Sequence, residues 1–190
     1  MIVRKSMKAV LFESLYDLMK SASFKSITVQ QIVKNCGTTK TTFYNYFRDK
    51  YELLSWGILR KHQGFFSTYN DALDWNASAL MVLKSFQSDV GFFVNAFAYD
   101  GQNCQPGAMR KDIYLTHYDW IESVYNPEEA NIDELKFAID FYSVGVSTLI
   151  YEWVKKGAKG RPEELVRKFE QCMPPILREY YYISPAQNKG

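Results

Sequence analysis

The sequence predicts an all-α protein, with an N-terminal three-helix helix-turn-helix domain and a larger C-terminal helical domain, about nine helices in total. Three observations carry that prediction. Apolar residues recur at three- and four-residue spacing along most of the chain, and no stretch alternates as a strand does. A cap, a short helix, a glycine turn and a second short helix follow one another between residues 28 and 47. The breaks in periodicity fall where Gly, Pro and Asn gather.

The elements follow in order. Leu11, Leu15, Leu18 and Ala22 form an apolar stripe beside Phe12 and Met19, which predicts a first helix over residues 6–21. Thr28 is the N-cap of a second helix and Gln31 completes a capping box, with Ile32 and Val33 on the inner face. That helix stops at Cys36-Gly37. A third helix starts at Thr38 or Thr39 and ends near Phe47, and Asp49 caps a fourth that extends to Tyr69. Helices over 76–87 and 88–99 are divided at Ser88-Asp89, and residues 100–107 read as a loop. Further helices span 108–125, which stops before Asn126-Pro127, and 133–156, which ends at Gly157. The last starts at Pro162 and reaches about residue 181, kinked or interrupted at Pro174-Pro175. The domains are therefore drawn at 1–48, 49–183 and a tail at 184–190.

Composition narrows the function. Of 190 residues, 47% are hydrophobic, enough for a sizeable core and against disorder. The net charge of +2 hides an asymmetry: the chain up to His62 holds 11 Lys+Arg and 4 Asp+Glu, and the remainder 12 and 17. A basic third on an acidic body points to a polyanion met by the first part only, although a scatter of solvated charges gives the same count. Cys36, Cys104 and Cys172 are scattered without a CxxC pair and read as small apolar residues in a reducing compartment. No export signal and no apolar run long enough for a membrane span are evident, so a cytoplasmic protein is expected. The two histidines, His62 and His117, stand apart, and no HExxH, GxSxG, Walker or GxGxxG pattern occurs. An enzyme, a metal site and a cofactor are not expected.

Residues 28–50 read TVQQIVKNCGTTKTTFYNYFRDK. In two helices joined at Gly37, Ile32, Val33, Phe43 and Phe47 point inward and fix the second helix. Lys40, Thr41, Tyr44 and Asn45 are left on its outer face, short polar or cationic groups without a carboxylate, which enter a major groove without repelling phosphates. Tyr44 and Tyr46 are also compatible with core positions, and Lys40 and Lys50 with plain solvation.

In this segment the chain resembles the TetR family of bacterial regulators. The run Phe43-Tyr44-Asn45-Tyr46-Phe47, then Lys50 and Leu53, together with Gly37 and Thr42, carries the likeness from about Val10 to Leu54. The resemblance implies double-stranded DNA as partner, with a palindromic operator read by a homodimer. Thr28, Tyr44, Tyr46 and Lys50 then meet phosphates, Gln30 reaches a base or phosphate, and Thr39, Lys40, Thr41 and Thr42 lie along the groove. Lys40 and Thr41 depart from the small residues common there, so no relative's operator transfers. A repressor is expected; the alternative is an interaction protein acting mainly through a protein partner.

Two half-sites of such a dimer are read about 34–36 Å apart. The helix over 133–156 is apolar nearly all round, so it must be buried on every side, by a second copy or by the monomer's own body. Tyr142, Gly145, Val146, Leu149 and Trp153, with Phe169, Met173 and Ile176 of the last helix, are the expected dimer interface, a four-helix bundle across a two-fold axis. The aromatic middle, represented by Phe66, Tyr69, Phe93, Phe97, Tyr114, His117 and Tyr118, reads either as a pocket for a flat hydrophobic effector or as a solid core.

Overall fold

A computed structural model describes residues 5–66, 75–98, 105–124 and 132–182. These contain ten helices and no strand: α1 Met7–Met19, α2 Val29–Asn35, α3 Lys40–Tyr44, α4 Lys50–Phe66, α5 Trp75–Ser88, α6 Val90–Phe97, α7 Gln105–Val124, α8 Ile132–Lys155, α9 Pro162–Gln171 and α10 Pro175–Tyr182. The helix count exceeds the expectation because the two prolines end one helix and begin another rather than kinking a continuous one. Helix α7 starts inside the segment expected to be a loop. The tail from residue 184 lies outside the described residues.

Local chemistry sets the helix starts. The Ser6 hydroxyl accepts from the Ala9 N–H, and Thr28 forms the full capping box with Gln31. Thr39 caps α3 by accepting from the Thr42 N–H at 3.1 Å. The Asp49 carboxylate accepts from the N–H groups of Tyr51 and Glu52 at 2.9 and 2.8 Å and starts α4. Between α2 and α3 the chain turns at Gly37 with φ of +67°, a left-handed conformation that a side chain would strain.

Helices α1–α3 and the first half of α4 form the N-terminal head. Its centre holds Leu11, Leu15, Phe24, Ile27, Ile32, Phe43, Leu53 and Leu54, all essentially inaccessible. Ser14 is buried inside it, donating to the Ile32 carbonyl at 2.7 Å and accepting from Asn35 at 3.1 Å. The buried cluster runs without a break from this head into the larger domain, crossing the boundary expected at residue 48.

Specific contacts bind the head to the body. The Asn95 amide of α6 accepts from the Phe24 N–H at 2.8 Å and donates to the Met19 and Ala22 carbonyls at 3.0 and 2.8 Å. It thereby satisfies the C-terminal end of α1. Asp89, between α5 and α6, accepts from the Tyr16 hydroxyl at 3.0 Å and pairs with Lys61 of α4 at 2.5 Å. The ring of Phe12 of α1 packs against Gly57 of α4, where an added Cβ would sit 1.9 Å from a ring carbon. That close approach requires glycine.

Helix α8 divides its apolar residues between two sides. Ile139, Tyr142, Val146, Ile150 and Val154 face the monomer's own core, and the Tyr142 hydroxyl donates to the Phe169 carbonyl at 3.0 Å. Phe137, Phe141 and Leu149 are 73%, 68% and 56% exposed, with Val144 and Gly145 beside them on the same side. The expected dimer interface is corrected accordingly: Tyr142, Val146, Phe169 and Met173 are internal, whereas Gly145 and Leu149 lie on the open face. Trp153 and Ile176 are half-buried, and the Trp153 indole donates to the Lys159 carbonyl at 2.7 Å.

Candidate nucleic-acid interface

Phe43 and Phe47, both buried, wedge α3 against the rest of the head with ring centroids 6.1 Å apart. Helix α3 is short, and its orientation comes from these two anchors and the Thr39 cap rather than from its own hydrogen bonds. Gln30, Thr39, Lys40, Thr41 and Asn45 are exposed, together with Thr28 at the start of α2. Tyr44 is 56% and Tyr46 43% exposed, so neither is a core aromatic. Thr42 is half-buried, its hydroxyl 3.0 Å from that of Thr39. The whole segment from Thr28 to Arg48 contains no carboxylate.

Lys50 departs from its expected role. Its ammonium donates to the carbonyls of Ile27, Phe24 and Lys25 at 2.7, 2.9 and 3.0 Å, which uses all three protons. It also lies over the Phe24 ring at 4.8 Å, and burial holds its pKa below the ordinary lysine value. Lys50 ties the α1–α2 connection to α4; a phosphate contact is not what its geometry serves. Arg48, two residues earlier, escaped the sequence reading. Its side chain is 80% exposed beside Tyr46, held only by a 3.9 Å approach of its Nε to Glu52. Its place at the end of the aromatic run was the available signal.

The expected effector residues do not converge. Phe93 and Phe97 are packed in a solid aromatic cluster with Phe86 and Tyr151. Tyr114 and Tyr118 stack on each other, nearly parallel and half-exposed on the outside of α7. His117 is wholly buried, its Nδ1 hydrogen-bonded to the Tyr181 hydroxyl and its ring 4.4 Å from that of Trp75. Burial pushes its pKa down to about 3, so the imidazole is neutral. Tyr69 and the side chain of Phe66 lie outside the described residues.

A cavity does exist among α5, α7, α8 and α9, on a neighbouring face of α7. Met109, Asp112, Ile113 and Thr116 supply one wall, Val82, Leu83 and Phe86 the opposite one, and Trp75 and Phe169 close it. Its volume is about 50 Å³, room for a few water molecules. Among the described residues no group of three His, Cys, Asp or Glu side chains could hold a metal, and no helix is long and apolar enough to cross a membrane.

A buried two-helix wedge that presents a polar, carboxylate-free helix beside a basic head defines a helix-turn-helix protein with an all-helical regulatory body. Comparison with known proteins gives the same class. Residues 12–55 match the family described as bacterial regulatory proteins, tetR family, and residues 74–174 match the family described as a transcriptional regulator C-terminal region. The chain belongs to the TetR family of transcriptional regulators. It is 28% identical over 91 residues to the HTH-type dhaKLM operon transcriptional activator DhaS of Lactococcus lactis subsp. lactis (strain IL1403), a match spanning 48% of this chain and 49% of that protein. The alignment thus spans about half the length of that relative. Solved structures share the fold over nearly the whole chain. That of the dihydroxyacetone kinase operon activator DhaS superposes with a TM-score of 0.63 at 18% identity, covering 90% of this chain and 96% of that one. That of the repressor AlkX from Dietzia sp. strain DQ12-45-1b gives 0.58 at 13%, covering 93% and 98%.

Proposed function

We propose that two copies of this chain bind a palindromic DNA duplex, each laying α3 in the major groove, and that a small effector that widens the α5–α7–α8–α9 cavity modulates that binding. The observation that carries the reading is the exposed face of Gln30, Lys40, Thr41, Tyr44 and Asn45, fixed from behind by Phe43 and Phe47 and free of carboxylates. Thr39, Lys40 and Thr41 are assigned to the groove, and Thr28, Tyr44, Tyr46 and Arg48 to flanking phosphates. Thr42 serves the groove indirectly, through its bond to the Thr39 hydroxyl.

Pairing is assigned to the open side of α8. Phe137, Phe141, Val144 and Leu149 form an apolar strip that a monomer has no reason to expose, and Gly145 lets a second helix approach. One relative is named an activator and a structural neighbour a repressor. The sign of regulation then depends on where the operator lies relative to the promoter.

A mobility-shift assay on the duplex upstream of the chain's own gene tests the reading. Two protomers per duplex and a preference over scrambled sequence are expected, with Thr41→Ala and Tyr44→Phe weakening binding while the circular dichroism spectrum stays the same. Equal binding to scrambled DNA overturns it.

A further inference from the structure

A groove runs along the head between α1 and α4, separate from the cavity among α5, α7, α8 and α9. Its volume is about 630 Å³. Small-molecule sites commonly measure roughly 300–1,000 Å³, so a ligand of ordinary size fits. Buried Phe12 and Gly57 form its floor, and half-buried Tyr16 and Trp56 border it, one from each helix. The Phe12 ring lies 6.4 Å from that of Tyr16 and 6.3 Å from that of Trp56, so the three make one continuous aromatic surface.

The charged side chains around this surface are not equally committed. Lys5 pairs with Glu13 at 2.7 Å, and Lys61 pairs with Asp89 at 2.5 Å. The Tyr16 hydroxyl also donates to Asp89, at 3.0 Å. Arg60 is different: it is exposed, and among the described residues no carboxylate pairs with it. Its guanidinium lies over the Trp56 ring at 5.4 Å. Stacking on an indole occupies the face of a guanidinium and leaves its edge, with the N–H donors, open. That planar fork matches the two oxygens of a carboxylate. The groove therefore sets one uncompensated positive charge beside aromatic surface. A cationic ligand would meet Arg60, while the acidic groups nearby already hold lysines.

We propose that the α1–α4 groove binds an amphipathic aromatic carboxylate, its rings against Phe12, Tyr16 and Trp56 and its carboxylate paired with Arg60. This goes beyond the effector reading. The site lies in the head, on the two helices that Asp89 joins to the body, and does not use the α5–α7–α8–α9 cavity.

Three probes with one ring system test it: naphthalene-2-carboxylate, naphthalene-2-carboxamide and naphthalen-2-ylmethylammonium, titrated calorimetrically into the full chain. The carboxylate is expected to bind about fivefold tighter than the amide, the upper end of what a solvent-exposed ion pair contributes. The ammonium form is expected to bind weakest. Arg60→Gln, at an exposed position, should erase the carboxylate preference and leave amide binding unchanged, whereas Arg60→Lys should keep part of it. Equal binding of carboxylate and amide to the parent chain, a preference that survives Arg60→Gln, or no binding of any probe overturns the proposal. So does a loss of duplex affinity in Arg60→Gln with carboxylate binding unchanged, which would give the guanidinium to a DNA phosphate. The DNA reading of the α2–α3 face is tested separately and stands or falls apart from these results.

Discussion

The Lys50 ammonium sits 2.7 Å from the Ile27 carbonyl oxygen, and with Phe24 and Lys25 it closes a three-carbonyl cradle at the end of the α1–α2 connection. The side chain therefore holds the head in shape. Lys50→Met keeps the apolar stem but leaves the carbonyls without their donor, a loss of about 1–3 kcal/mol. The unfolding free energy should fall by that amount, seen as a lower denaturant midpoint with an unchanged slope, while DNA affinity well below the unfolding transition stays within about twofold, less than a lost phosphate contact would cost. A large affinity loss at unchanged stability would restore the phosphate role.

The Phe12 ring over Gly57 makes a second, independent prediction. Gly57→Ala drives a methyl group into the ring and should cost about 1–3 kcal/mol by overpacking. Phe12→Leu frees the space, so the double variant should be more stable than the two single losses predict. Thermal unfolding of the four chains measures the coupling; simple additivity would mean that the helices separate without strain.

Much of this head was legible in the sequence because its signals are local. The Thr28–Gln31 box, the Gly37 turn and the Phe43 and Phe47 spacing are each set within a few residues, and the structure has each of them. The Lys50 cradle joins residues more than twenty apart and has no periodic signature. Helix α8 was readable as apolar on all sides, but nothing in that pattern says which side meets the chain's own core. Tyr142 and Val146 were placed outward, and they point inward. On α7, Tyr114, His117 and Tyr118 were chosen for their chemistry, and they lie on other faces than Asp112, Ile113 and Thr116, which line the cavity. Successive residues on a helix differ by about 100° in direction, so a shift of one or two positions moves a side chain to another surface.

His117 gives the protein a pH dependence of defined sign. Its folded pKa of about 3 lies below the unfolded value near 6.5, so folding favours the neutral ring. That contribution is fully present above about pH 6.5 and is lost progressively as pH falls toward 3, because only the unfolded chain takes up the proton. Between pH 7 and pH 5 the loss should be about 2 kcal/mol. Comparing urea unfolding of the parent chain and His117→Phe at the two pH values checks it, since the variant should lack that part of the slope.

The open side of α8 separates pairing from folding. Phe141→Glu or Leu149→Glu should convert the dimer to a folded monomer in sedimentation velocity, because each places a charge on an exposed apolar strip. Val146→Ala, in the monomer core, should instead lower stability by about 1–3 kcal/mol and leave the association state unchanged. If the glutamate variants remain dimeric, pairing uses another surface.

The most direct test of the account is the salt dependence of binding to a palindromic duplex, followed by fluorescence anisotropy between about 50 and 200 mM salt. The account predicts two protomers per duplex and a logarithmic affinity that falls linearly with the logarithm of salt. Arg48→Ala removes one phosphate contact from each of the two protomers and should reduce the slope by about two, and Lys40→Ala removes a charge from the groove of each half-site and should also reduce it. An affinity indifferent to salt, or a slope untouched by both substitutions, would contradict the assignment of the α2–α3 face to DNA.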